Sequence, residues 1–156
     1  MRAAGLTFFL IAAALDASST SAVAAEDGPE CFSPYTKTNV CEYARTAQAA
    51  TAPTLPMKLN ANLTIATVAA VGPRLIYTAV LNLSAAEAEA MANGRGISMQ
   101  DWAAKMGDNT RNLVCSMDAL AAFVRLGGEV QYLYKTADGR VLFSPLVQRS
   151  DCLNSR

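Results

Sequence analysis

Four cysteines, Cys31, Cys41, Cys115 and Cys152, constrain this chain more than any other feature of its 156 residues. An even number of cysteines in an exported chain implies two disulfides. Four cysteines allow three pairings. The expected one is Cys31–Cys41 with Cys115–Cys152: the first closes a small N-terminal loop, and the second ties the C-terminal tail to a central helix. By chain entropy each bond contributes roughly 3–4 kcal/mol before strain is counted. A zinc site would ask for pairs separated by two to four residues. The closest pair here has nine residues between, and no Cys-x-x-Cys redox motif occurs.

The case for export rests on residues 1–25. Met1 and Arg2 open a short positive region, and Leu6 to Leu15 is an unbroken apolar run of ten. Asp16 to Ala25 is polar and small, ending Ala22-Val23-Ala24-Ala25. Small residues at −3 and −1 fit peptidase cleavage after Ala24 or Ala25. As a helix the apolar run spans about 15 Å, roughly half a bilayer core, so a cleaved signal peptide is expected rather than an anchor. A lipoprotein signal would need a cysteine at the cleavage point, and Cys31 lies beyond it in another context. A free, soluble product is the expectation, periplasmic or secreted, with no stable membrane insertion.

Composition excludes several chemistries. The chain has no histidine. That removes Ser-His-Asp and Cys-His nucleophiles, histidine-held metals and a side chain whose ordinary titration lies near neutrality. No serine has a lysine three residues later, so the Ser-x-x-Lys alternative is absent too. The 13 basic and 13 acidic residues balance and are interspersed. Phosphate binding needs a basic surplus, so a nucleic-acid partner is not expected. Gly94-Arg95-Gly96 is too short for a phosphate loop and does not follow a strand. No cofactor is expected.

Periodicity then outlines one domain. Residues 26–56 read as an irregular leader with one short helix near Val40 to Ala50, stopped by Pro53 and Pro56. Residues 57–156 read as a single α+β domain. From Leu59 to Val71 the odd positions are mostly apolar, and after Gly72-Pro73-Arg74 the alternation resumes from Leu75 to Leu83. This predicts one long β-hairpin. Ile76, Val80 and Val68 fall on its nominally polar face. Ser84 and Glu87 form a capping box for a helix over Ala85 to Asn93, with Gly94 at its end. Ser98 opens a second helix carrying Met99, Trp102, Ala103 and Met106, which Gly107 is expected to interrupt. Leu113 to Val124 continues the helical stripe, as one helix or two. Val130 to Tyr134 and Val141 to Val147 predict a second hairpin about Asp138-Gly139, with Pro145 favouring an edge. The fold class expected is therefore α+β: a four-stranded antiparallel sheet of two hairpins, with two to three central helices packed on one face.

No catalytic constellation stands out. The acids Glu87, Glu89, Asp101, Asp108 and Asp118 mostly fall at helix starts, where the dipole favours them. Tyr132 and Tyr134 share a strand face that packs in the core or offers rings to a ligand. Val141, Leu142 and Phe143 lie on the expected edge strand, a place for β-augmentation. In general shape the chain resembles small exported bacterial proteins that bind other envelope proteins: enzyme inhibitors, immunity factors and secretion accessories. That resemblance is architectural and implies a non-catalytic protein with a protein partner in the envelope or outside the cell. The alternatives are a glycan or small-ligand binder using the tyrosine face, and a carboxylate-based hydrolase.

Overall fold

A computed structural model describes residues 27–153. The expected signal peptide lies outside these residues. In chain order the elements are α1 (Val40–Thr51), β1 (Met57–Asn60), β2 (Leu63–Val71), β3 (Arg74–Leu81), α2 (Ala85–Gly94), α3 (Met99–Ser116), α4 (Asp118–Arg125), β4 (Glu129–Thr136), β5 (Val141–Phe143), β6 (Leu146–Val147) and α5 (Arg149–Leu153). Single turns of 3-10 helix precede and follow α1.

The α+β class stands, but the wholly antiparallel four-stranded sheet is corrected. The sheet has six strands in the order β1-β2-β3-β4-β5, with β6 also paired to β4. β3 and β4 run parallel, in unbroken register from Arg74↔Glu129 to Leu81↔Thr136. Each hairpin is a local event that alternation reveals. How two hairpins meet depends on the connection between them. Here α2, α3 and α4 form a crossover long enough to carry the chain back and lay β4 alongside β3 in the same direction.

The strand boundaries are also corrected. The run from Leu59 to Val71 is two strands, separated by a turn at Ala61-Asn62 in which the Asn60 side chain accepts from the Asn62 amide. Within β2 the register shifts between Ile65 and Thr67. Ala66 is the extra residue of a β-bulge, and it reverses which parity faces inward. Ile65 faces the core before it and Val68 after it, while Thr67, Ala69 and Val71 turn outward. Val68 therefore joins the core, and Ile76 and Val80 remain half-buried on the open face.

Both capping boxes form: Ser84 with Glu87 opens α2, and Ser98 with Asp101 opens α3. Gly94 is the last residue of α2, and the left-handed residue that turns the chain is Gly96, at φ 67°. Gly107 does not interrupt α3, since one glycine costs only about 1 kcal/mol against alanine in a helix otherwise held by packing. The break falls at Met117, whose extended backbone ends α3 and begins α4. The Ser116 hydroxyl donates to the Leu113 carbonyl just before it.

α1, α3 and α4 share one sheet face. On it Leu75, Tyr77 and Ala79 of β3 and Val130, Tyr132 and Tyr134 of β4 are buried beneath Val114, Phe123 and Val124. Gly128 touches the Phe123 ring so closely that a Cβ there would overlap it. The segment before β1 contributes to this core: Val40 and Ala44 of α1 are buried against the sheet, and Gln48 accepts from the Ala70 amide of β2 at 2.7 Å. Disulfides join Cys31 to Cys41 and Cys115 to Cys152. The first anchors the chain before α1 to its first turn, and the second binds the end of α3 to α5.

Candidate functional site

The helical layer does not close over the sheet everywhere. α1 lies over β2 and β3, α4 lies over β4, and α3 lies over β5 and β6. Between them runs an apolar groove of two adjoining hollows, about 450 Å³ each, which share Ala50, Thr51, Tyr77, Met117 and Leu120. One wall is α1, which turns Thr46, Ala47, Ala50 and Thr51 toward the gap. These side chains are small, so the helix approaches the sheet without filling the space beside it. The opposite wall is the α3–α4 junction, with Leu113, Met117 and Leu120. At one end Met57 and Leu59 of the edge strand β1 complete the rim. Met57, Leu59, Leu113, Met117 and Tyr43 are all exposed, which gathers several of the molecule's large exposed apolar side chains around one concavity.

The floor is aromatic. Tyr77 and Tyr132 are register neighbours on β3 and β4, and their rings stack at 5.0 Å between centroids. Tyr134 continues the row at 5.9 Å from Tyr132. The three hydroxyls differ. That of Tyr134 is 2.9 Å from the Thr110 hydroxyl, itself bonded to the Met106 carbonyl. That of Tyr77 is met by Thr51 on α1. That of Tyr132 has no partner among the described residues. Burial pushes all three phenols above their ordinary range, Tyr132 most strongly, with its tyrosine neighbours adding to the effect. Each is a neutral hydrogen-bonding group at physiological pH.

The five binding candidates read from the sequence do not form one surface. Tyr132 lines the groove floor, whereas Tyr134 is sealed in the core. Phe143 is buried under Trp102, edge-to-face at 5.4 Å. Val141 is exposed and Leu142 half-buried on a three-residue strand, and the edge is broken at Ser144-Pro145 before β6 resumes it. The acids are scattered and engaged in local roles: Glu87 and Asp101 in caps, Glu89 with Arg140, Asp108 with Arg111, and Asp118 in the first turn of α4. None lines the groove. Asp27 lies close to Cys31 and Cys41, the one grouping of metal-ligand residue types among the described residues. The sulfurs are spent in their disulfide, and both Asp27 oxygens accept from Arg45, so this cluster is no metal site.

Sequence reading missed most of the groove. The α1 wall had a visible signal, since Val40, Ala44, Ala47 and Thr51 follow helical spacing. Leu113, Met117 and Leu120 also follow helical spacing in the stripe from Leu113 to Val124, but no local pattern brings them beside α1 or beside Met57 of β1.

No protein-family model matches the chain, and no curated protein matches it in sequence. Three solved structures share its fold. One is a Pseudomonas aeruginosa protein classed as secreted, with a TM-score of 0.56 and 15% identity over 72% of this chain and 92% of that one. The second is EpsS, a pilotin of the Vibrio vulnificus type 2 secretion system, with a TM-score of 0.57 and 10% identity over 72% and 91%. The third is AspS, a type II secretion system pilotin of Vibrio cholerae, with a TM-score of 0.55 and 14% identity over 73% and 93%. At these identities the likeness is one of fold. Among the described residues no helix is long and apolar enough to cross a membrane.

Proposed function

We propose that this chain is an exported, non-catalytic accessory protein that binds another protein through the groove between α1 and the α3–α4 junction. The observation that carries this reading is the groove itself: an open apolar trough rimmed by exposed Met57, Leu59, Leu113 and Met117 on a doubly disulfide-bonded scaffold. Exposed apolar surface collected in this way marks an interaction site. The two disulfides support an oxidising compartment, periplasmic or extracellular. The two pilotins of similar fold support a secretion-accessory kind of protein.

The groove's chemistry favours a helical occupant. Its walls are apolar side chains, with threonine and tyrosine hydroxyls as the polar groups. An extended segment laid there would bury amides and carbonyls without partners, at about 1–3 kcal/mol each. An amphipathic helix satisfies its own backbone and presents an apolar stripe. A strand added to β1 would lengthen the sheet and leave the groove empty.

A photo-crosslinking residue placed at position 50 tests this in the producing cell. The expected result is one dominant crosslinked protein, with the crosslink mapping to an amphipathic helix. Crosslinks arising instead from position 67 on the open sheet face, or from position 141 on the β5 edge, would overturn the groove as the docking site. One observation favours a second reading: each hollow has the volume of an ordinary small-ligand site and a tyrosine floor. An apolar small molecule copurifying with the protein would support that reading.

A further inference from the structure

Among the hydroxyls of the tyrosine row, one has no partner among the described residues. Tyr132 is 6% exposed, yet its hydroxyl makes no hydrogen bond to any described residue. Every fully buried side-chain oxygen and nitrogen among the described residues has a partner. The unpaired Tyr132 oxygen therefore keeps contact with the hollow it lines. Its neighbours mark it as an exception, since Thr51 stands by the Tyr77 hydroxyl and Thr110 bonds that of Tyr134. A nearly buried hydroxyl left facing an apolar trough, beside one that is hydrogen-bonded and one that has Thr51 at hand, is a hydrogen-bonding position that a ligand would complete.

We infer that this point is a subsite for a neutral hydrogen-bond acceptor on an apolar stem, supplied by an anchoring side chain of the partner helix, with the Tyr132 Oη as donor. The inference rests on the groove reading and sharpens it. No charged side chain lines this hollow. An anion or cation entering it would lose its water without gaining a counterion, which excludes carboxylate and ammonium anchors. A purely aliphatic anchor would fill the space but leave the Tyr132 hydroxyl cut off from water. An amide or hydroxyl tip both fills the space and pairs the oxygen. Tyr132 is thus the position that discriminates among apolar partners, because a polar group left unpaired penalises the wrong one.

The test uses prodan, a naphthalene dye carrying a ketone, as the acceptor-bearing probe, and 2-ethylnaphthalene as its competitor without an acceptor. Both are titrated against the mature protein, Tyr132→Phe and Tyr134→Phe. Tyr132→Phe removes an oxygen that holds no internal bond, so the ring row stays packed and the fold is retained. The expected result is a roughly 3–10-fold weaker affinity of Tyr132→Phe for prodan, the effect of one neutral hydrogen bond. Its affinity for 2-ethylnaphthalene is unchanged, and Tyr134→Phe binds both as the wild type does. Equal prodan affinity in Tyr132→Phe and wild type would overturn the subsite and leave the groove reading standing, as would an equal loss for both probes. Failure of both probes to bind the wild type, or binding that survives Ala50→Trp, would overturn the groove reading and the subsite with it.

Discussion

The same sheet face is finished in opposite ways at its two ends. Over β4 and β5, α3 brings Trp102 down on Phe143, Phe143 meets Tyr134 edge-to-face, and Thr110 takes the Tyr134 hydroxyl. Large side chains fill the layer and the polar atom is paired. Over β2 and β3, α1 presents Ala47, Ala50 and Thr51, the layer is left open, and Tyr132 on the adjoining part of β4 keeps an unpaired oxygen. One end is packed as a core is packed, and the other has the apolar character of a core with its facing layer missing. Stability and binding are thereby assigned to different halves of one surface.

Truncation at the filled end should break the comparison most strongly. Phe143→Ala is expected to destabilise the protein by about 3–5 kcal/mol in urea denaturation, since the cavity is walled by Trp102 and Tyr134. A cost below about 1 kcal/mol would mean that this end is no better packed than the groove. Replacing Cys115 and Cys152 together by serine should cost about 2–4 kcal/mol. That pair holds the end of α3 to α5 beside the groove wall formed by Leu113 and Met117. The thermal midpoint should therefore fall, and prodan affinity should fall with it.

The tyrosines sharpen the contrast within one strand. Tyr134→Phe strands the Thr110 hydroxyl's partner position and should cost about 1 kcal/mol, whereas Tyr132→Phe should leave stability within about 0.5 kcal/mol of wild type. Equal costs in parallel urea titrations would remove the distinction drawn between the two hydroxyls. Ala50→Trp is exposed enough to be accommodated with a stability change within about 0.5 kcal/mol, yet it should abolish binding in the groove.

The smallest effect concerns how α1 is held. Hydrogen bonds from Arg45 and then Asn39 lower the Asp27 pKa from its ordinary 3.8 to about 2. A depressed folded-state value means that the contribution is present above about pH 4 and is lost as pH falls toward 2. The urea midpoints of wild type and Asp27→Asn should therefore differ at pH 5 and converge near pH 2. A constant difference across that range would show that the Asp27 charge does not tie the chain to α1.

Much of the local structure was legible. The two capping boxes, the turns at Gly72-Pro73 and Asp138-Gly139, and the alternation of β3 and β4 are short-range events, each set by residues a few positions apart. The edge character of the β5–β6 segment was legible too, because Pro145 has no amide to give a neighbouring strand. The errors came where local signals were weak beside packing. Gly107 is a poor helix residue that its neighbours carry through, and Ala66 is an unremarkable alanine whose insertion into the ladder reverses the facing of β2.

By itself, then, the sequence determined the mixed class, the positions of the caps and turns, and the absence of histidine chemistry, because these depend on residue type and near neighbours. Only the tertiary structure decided the parallel pairing of β3 with β4, the seating of α1 on the sheet, and the gap left beside it. Those depend on which distant surfaces meet, and a groove is the place where they fail to meet. Its residues come from α1, β1, β2, β3, β4 and the α3–α4 junction, and no single stretch of chain carries a pattern for the space left between them.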